Sequence, residues 1–233
     1  MRRITCTVLL LLLGFSFSWA QIDAYNAAKH VIIKYSPAAM FDSDNTIQFG
    51  VEVPLGKSGI SLQQDLGYGH SGFNLWYHDI TNAPNKSTYK SRTHLRYYYF
   101  SKSRVRGYFA GEFLYKKVLY RDNQWVGMDC SSFGDCNYFE NKDVTIGRIA
   151  AAGHARMGWQ FYFPSRMTLD LFTGFGMRDI KVKALSPGLE TARVRAPREI
   201  WSETTPGTHY VMPSLVLGFH LGVVLGKIRQ NSQ

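Results

Sequence analysis

The stretch Ile47-Gln48-Phe49-Gly50-Val51-Glu52-Val53-Pro54-Leu55 alternates between apolar residues and polar or small ones. Successive side chains of an extended strand point to opposite faces, so this period of two predicts a β-strand with one apolar and one polar face. The same period recurs along the chain on both sides of this stretch.

Seven further segments share this alternation, the first of them more weakly. They are 30–41, 60–68, 94–99, 108–116, 148–161, 167–178 and 211–225. Together with the opening stretch they predict about eight strands, and therefore an all-β chain.

The connections between these segments are sorted by length. Tight turns are expected at 56–59, 101–104 and 164–166, and long polar loops at 70–90, 121–142 and 183–208. If the N-terminus is periplasmic, every tight turn falls on the periplasmic side and every long loop outside, with a short external connection at 42–45. This asymmetry is typical of outer-membrane barrels, although a soluble sandwich core would show the same strand alternation.

Apolar runs in the mature chain are too short for a transmembrane helix, which needs roughly 20 apolar residues. The longest candidate, Val211 to Leu225, is interrupted by proline, serine, histidine and glycine. A membrane protein without such a helix must close its strands into a barrel, because lipid offers no partner to an unpaired backbone group. The predicted fold is an eight-stranded antiparallel up-and-down transmembrane β-barrel.

Aromatic residues sit where the two membrane interfaces would fall. An inner girdle is expected next to the tight turns, at Phe100, Tyr162 and Phe163. An outer girdle is expected next to the long loops, at Tyr68, Tyr115 and Tyr210.

The N-terminus reads as a secretory signal peptide. Arg2 and Arg3 precede the apolar run Val8 to Leu13, and Ser18-Trp19-Ala20 ends in small residues suited to cleavage. Residues 1–20 are therefore predicted to be removed, and residues 21–233 to form a single domain in the bacterial outer membrane.

The chain carries a formal net charge of +10. A secreted protein seldom meets nucleic acid, so the expected partners are outer-membrane lipid head groups and lipopolysaccharide phosphates. A simply solvated basic surface is the alternative. No protein partner is indicated.

Four acids and four arginines share the polar strand face. They are Glu52, Asp65, Glu112 and Asp170, with Arg96, Arg148, Arg156 and Arg178. An eight-stranded barrel is only wide enough for side chains to fill it, so charges in its interior must find opposite partners. The equal numbers predict a salt-bridged, closed interior, against the alternative of chance alternation in a solvated groove.

Three histidines, His94, His154 and His220, also fall on the inward phase. We interpret them as hydrogen-bonded members of a polar core, with no metal, cofactor or catalytic role; metal ligands or general bases are the alternative. Ser214 and His220 share a strand, but six residues separate them by about 20 Å. Gly174 and Gly176 indicate close strand packing.

Two cysteines remain after signal removal, Cys130 and Cys136, in a segment rich in small polar residues. In an oxidising compartment this pair predicts a local disulfide. The neighbouring predicted loops are basic and aromatic, a composition suited to surface binding. Their notable residues are Trp76, Tyr77, Lys86, Lys90, Trp125, Arg193, Arg195, Arg198 and Trp201.

Several blocks of the chain resemble a domain-of-unknown-function family of small outer-membrane barrels from Bacteroidota. They are Ala20-Gln21, 47–52, 96–100, 106–113 and 169–176, and the similarity runs from His30 to Leu225. The resemblance implies an OmpA-like eight-stranded barrel with no established activity.

These observations favour a non-enzymatic integral barrel with a structural or surface-binding role. Two alternatives remain open: an outer-membrane enzyme that modifies lipid A, and a soluble periplasmic β-barrel that binds a small apolar ligand.

Overall fold

The computed structural model describes the chain between residues 30 and 226, with gaps. The described residues are 30–42, 44–56, 58–73, 85–102, 104–130, 136–163, 166–186, 193–194 and 206–226. The predicted signal peptide lies outside them. The described chain is all-β, with two short 3-10 segments at Pro37–Phe41 and Ser71–Phe73.

In the described part of the chain, nine strands form one antiparallel sheet. In chain order they are β1 Val31–Tyr35, β2 Ile47–Pro54, β3 Ile60–His70, β4 Lys86–Ser101, β5 Val105–Cys130, β6 Cys136–Tyr162, β7 Met167–Ala184, β8 Arg193–Val194 and β9 His209–Leu225.

Eight of these strands close into a ring. Each pairs with its neighbours in the chain, and β1 pairs with β9 to complete the circle. The two-residue β8 pairs with β5, beside Val126 and Gly127. The predicted all-β, up-and-down order of eight antiparallel strands is thus confirmed as a closed ring.

The strand phase is also confirmed. Phe49 is 56 % exposed and Leu217 is 84 % exposed on the outside, whereas Glu52, Arg96 and Asp170 are buried inside. Alternation along each strand therefore separates an apolar outer surface from a polar interior.

The connections are sorted by length as expected. One end of the ring, the turn end, carries the tight turns after β2, β4 and β6, and Gly56 and Gly59 adopt left-handed φ angles there of 68° and 73°. The opposite end, the loop end, carries the longer connections.

Three boundaries differ from the prediction. The first strand ends at Tyr35, because Pro37 begins a 3-10 turn that lies against β9 and β2. The connection 42–45 is not an external loop, since Asp44 and Asn45 are buried. Most of 121–142, predicted as a loop, is a strand hairpin in which β5 and β6 continue their pairing to Cys130 and Cys136.

The interior of the ring changes from charged to apolar towards the loop end. Near the loop end it holds an apolar cluster from β5, β6 and β7, formed by Val126, Val144, Ile146, Ala150, Ile180 and Val182. Two girdle predictions are wrong as a result of strand phase. Tyr162 is buried beside Ile32, and the half-buried Tyr210 packs against the apolar cluster.

Among the described residues, no helix is long and apolar enough to cross a membrane.

Candidate functional site

The eight residues predicted for the interior all lie inside the ring. Seven are buried, and Arg178 is half-buried. The structure joins Arg96 to Glu52 and Asp170, and Arg156 to Glu112. The remaining two arginines have other partners.

Near the turn end, two acids share two cations. Lys34 Nζ lies 2.6 Å from Glu52 Oε2 and 2.9 Å from Asp170 Oδ2. Arg96 Nη1 lies 2.8 Å from the same Asp170 oxygen, and the Tyr108 hydroxyl donates to the other one at 2.7 Å. We call these residues the turn-end cluster.

A second group of charged residues lies nearer the loop end. Arg156 pairs with Glu112 and also donates to His94 Nδ1 at 2.9 Å. A guanidinium only donates, so His94 carries its proton on Nε2, which donates to Asp65 at 3.0 Å.

The third group surrounds Asp44. Lys116 Nζ lies 2.7 Å and Lys86 Nζ 3.1 Å from its carboxylate, and Arg148 donates to it as well. Lys86 was predicted to lie in an external loop. That prediction is wrong, because β4 begins at this residue and directs it inward.

Lys90, the other lysine assigned to that loop, is also buried, and it lies 3.0 Å from Asp42 Oδ2. Sequence reasoning missed Lys34, Asp44 and Lys116 as members of the charged interior. For the two β4 lysines a signal existed, since they share the inward phase of His94.

The predicted equality of charges does not hold. Among the described residues, eight Lys or Arg side chains and only five Asp or Glu side chains are buried. The cations are Lys34, Lys86, Lys90, Arg96, Arg106, Lys116, Arg148 and Arg156; the acids are Asp44, Glu52, Asp65, Glu112 and Asp170. The interior is therefore net positive and suited to an anion.

A different arrangement runs across three strand pairs. In the register, Glu112 lies opposite His154, His154 opposite Gly176, and Gly176 opposite Ser214. Because Gly176 has no side chain, His154 reaches over β7: its Nε2 lies 3.0 Å from Ser214 Oγ and its Nδ1 3.0 Å from Glu112 Oε1. Arg178 Nη2 donates to the same serine oxygen at 3.1 Å.

This row assigns the histidine tautomer. An ionised Glu112 only accepts, so His154 Nδ1 carries the proton and Nε2 is free to accept from the Ser214 hydroxyl. The row was not predicted. Ser214 was compared with His220 on its own strand, whereas its partner stands two strands away.

A cavity of about 400 Å³ lies between β9 and the 3-10 turn and extends to residues of β4, β5 and β7. It exists because β1 pairs with β9 only over Leu221–Leu225, while β9 continues to His209. We call this opening the lateral window. Leu215 and Leu217 line its exposed side, and Lys90, Arg92 and Arg178 line its inner side. Asp42, the ion-pair partner of Lys90, lines it as well.

The two arginines of the window keep unused donors. Among the described residues, the buried Nε atoms of Arg92 and Arg178 have no hydrogen-bond partner. An unsatisfied buried donor is costly, so these groups favour a ligand that accepts hydrogen bonds.

The cysteine pair lies at the tip of the β5–β6 hairpin. Cys130 and Cys136 are opposite one another in the strand register, as a disulfide between them requires. The disulfide itself stays a prediction. In the described residues no group of three His, Cys, Asp or Glu side chains is arranged to hold a metal ion.

Of the predicted surface-binding residues, Trp125 lies exposed on β5 and Arg193 lies in β8. Trp76, Tyr77, Arg195, Arg198 and Trp201 fall outside the described residues.

Comparisons of the chain with protein-family models, with curated proteins and with solved structures gave no match.

Proposed function

We propose that the chain is an integral β-barrel of the bacterial outer membrane that binds an anionic lipid through its lateral window. The observation that carries the membrane part is the outer surface. Large apolar side chains stand exposed on all of β2, β3, β4, β5, β7 and β9. Soluble monomers rarely expose contiguous apolar patches above a few hundred Å².

The aromatic residues support the same assignment. Tyr99 and Phe109 stack near the turn end with ring centroids 4.8 Å apart, and Tyr68 and Tyr89 lie nearer the loop end at 5.4 Å. All four are exposed. Tyrosines at two levels of an apolar surface suit the two membrane–water interfaces.

The interior supports a closed barrel and not a channel. The three charged groups fill the ring, and the apolar cluster lies above them toward the loop end. A closed barrel with such an interior is sufficient for a purely structural role in the membrane. The window adds a site for lipid.

The window matches an amphiphile with an acidic head. Leu215 and Leu217 offer an apolar surface to an acyl chain, and Arg92 and Arg178 offer donors to a carboxylate or phosphate. The excess of buried cations makes such a head group electrostatically favourable. A small neutral apolar ligand would leave these donors unsatisfied, so the anionic amphiphile is favoured over it.

Membrane insertion is tested by fractionating expressing cells and refolding the mature protein into vesicles. We expect the protein in the outer-membrane fraction, resistant to carbonate extraction, with a heat-dependent shift in gel migration. Planar bilayers containing it should show no stable conductance. A soluble, carbonate-extractable product would contradict the membrane assignment, and a steady open channel would contradict the closed interior.

The window is tested with a fluorescent long-chain fatty acid and the matching fatty alcohol. Arg92→Gln should weaken binding of the acid about tenfold, the size of one charge-assisted hydrogen bond, and leave the alcohol unchanged. Arg104→Gln, an exposed arginine at the turn end, is the control and should change neither. Equal binding of acid and alcohol by all three proteins would exclude an anionic head-group site.

A further inference from the structure

The row Glu112–His154–Ser214 has the parts of a serine nucleophile with its base. Nucleophilic catalysis needs a hydroxyl within hydrogen-bond reach of a base, and a third group that orients the base. Here the serine oxygen lies 3.0 Å from one imidazole nitrogen, and the carboxylate 3.0 Å from the other. All three side chains are buried in the ring.

We propose that Ser214, His154 and Glu112 hydrolyse an acyl ester of a phosphate-bearing lipid that enters through the lateral window. The route of entry rests on the function proposed above. The chemistry of the row does not, since it depends only on the three side chains.

The position of Ser214 connects the row to the window. Leu215 and Val216, the next two residues, line the cavity, and so does Arg178, whose guanidinium donates to Ser214 Oγ. Leu215 and Leu217 are exposed on the outer face of β9, whereas Ser214 is buried on its inner face. A lipid whose acyl chain lies on these leucines would therefore have to extend its ester inward, past Val216 and Arg178, to reach the serine oxygen.

A second buried serine shows that the arrangement is specific. Ser61 Oγ donates directly to Glu52 Oε1 at 2.6 Å. A carboxylate paired with Lys34 is a weak base, so Ser61 is held as a structural hydroxyl. Ser214 instead lies 3.0 Å from an imidazole nitrogen, a group that serves as a general base.

The reaction has two balanced steps. In the first, Ser214 Oγ attacks the ester carbonyl, its proton moves to His154 Nε2, and the C–O bond to the lipid alcohol breaks as His154 returns that proton to the leaving oxygen. In the second, His154 takes a proton from water, the hydroxide attacks the acyl-serine, and the fatty acid leaves as Ser214 regains its proton. Glu112 stays ionised and stabilises the imidazolium.

The cations of the lateral window are suited to stabilise the oxyanion and to bind the phosphate. Arg178 lies beside the serine oxygen, so it is placed to donate to the negative charge that develops on the carbonyl oxygen. Arg92 also lines the cavity, and its Nε, which has no partner among the described residues, suits the phosphate of the same lipid.

The test uses the refolded mature protein in detergent and a long-chain alkyl fluorophosphonate, which reacts with activated serines. We expect a covalent adduct on Ser214, located by peptide mass spectrometry. Ser214→Ala should abolish labelling, and His154→Gln should slow it at least a hundredfold, the contribution of a general base. Ser61→Ala is the matched control and should label at the wild-type rate.

Folding of each variant is followed by heat-modifiable migration and far-UV circular dichroism. If folded wild-type protein forms no adduct on Ser214, or if Ser214→Ala labels like the wild type, the proposal is overturned. Because the probe dissolves in detergent micelles, labelling would persist even for a protein that does not insert into membranes. A failure of the hydrolase proposal and a failure of the membrane proposal are thus distinguishable.

The lipid class is then tested with mixed micelles of phosphatidylglycerol and, separately, of lipopolysaccharide. Release of free fatty acid that depends on Ser214 supports the phosphate-bearing acyl ester, and the active arm identifies its source. Hydrolysis confined to short, uncharged esters would overturn that part of the proposal.

Discussion

At the turn end, the Lys34 ammonium lies within 3 Å of two carboxylates that are closed off from solvent. Removing one partner of a buried ion group leaves an uncompensated charge. We expect Lys34→Met, which keeps the length of the side chain, to lower the free energy of unfolding by about 3–5 kcal/mol. Urea titration of the refolded protein in micelles measures this.

Lys181→Met is the control, because Lys181 forms its ion pair with Asp179 at 3.0 Å on the exposed surface. Such pairs are screened by solvent, and we expect no measurable change. Equal stability of both variants and the wild type would show that Lys34 is not held in a desolvated ion group.

The alternation of the sequence predicted which residues face the interior, but it did not predict which side chains contact one another there. The phase of each strand placed Glu52, Arg96 and Asp170 inside correctly. Which side chains meet depends on register between strands, and one sequence does not encode that visibly. Lys34 was missed because Pro37 breaks the alternation of the first segment, and Asp44 because it lies in a connection.

Among the strand elements, the β5–β6 hairpin continues its pairing from the ring to Cys130 and Cys136. We expect these two cysteines to form a disulfide in the mature protein. Thiol titration under denaturing conditions should find no free thiol before reduction and two after it. Two reactive thiols in protein purified without reductant would contradict this prediction.

The strand β7 depends on Gly176 for its contact with β6. A Cβ atom at this position would lie 1.9 Å from the carbonyl oxygen of Gly153. Gly176→Val should therefore force the strands apart, lower the free energy of unfolding by about 1–3 kcal/mol and suppress labelling of Ser214.

Gly111→Val is the control for this substitution, because a Cβ atom at Gly111 meets nothing within 4 Å. It should leave both stability and labelling unchanged. Wild-type labelling in folded Gly176→Val would refute the need for a bare strand between His154 and Ser214.

The tight turns were predictable as elements, since Gly56, Gly59 and Pro164 interrupt the alternation at two of them and a short polar run, 101–104, interrupts it at the third. The part of the β5–β6 hairpin beyond residue 120 was not predictable. Its residues 121–124 and 140–143 are largely polar, which is typical of loops. Paired strands satisfy each other's backbone groups whatever their side chains are, so these polar stretches are strands although the period of two is lost in them.

At the scale of the whole molecule, the exposed apolar surface is the feature that favours hydrocarbon over water as the surroundings of the ring. Leu171 is 42 % exposed on β7, four residues, or about 13 Å along the strand, from the start of β7 at the turn end. In a bilayer, Leu171→Arg should reduce folding stability by about 2–4 kcal/mol, because arginine on a lipid-facing surface is costly near the midplane. In detergent the loss should be smaller.

Tyr138→Arg is the control, since Tyr138 is 47 % exposed near the end of the β5–β6 hairpin, outside the proposed lipid-facing part of the ring. Folding into vesicles, followed by tryptophan fluorescence during urea titration, compares the two. An unchanged stability of Leu171→Arg in vesicles would argue that water, and not hydrocarbon, surrounds the ring.

The ring is built from strands of very unequal length, five residues in β1 against 27 in β6. At about 3.4 Å per residue, β1 reaches only about 17 Å, short of a hydrocarbon core of about 30 Å. Such a hydrophobic mismatch is met by local thinning of the bilayer. In a membrane the short β1 would thin the leaflet beside it. Phospholipid head groups would then lie deeper in the bilayer next to the lateral window, and their acyl chains would be less ordered there.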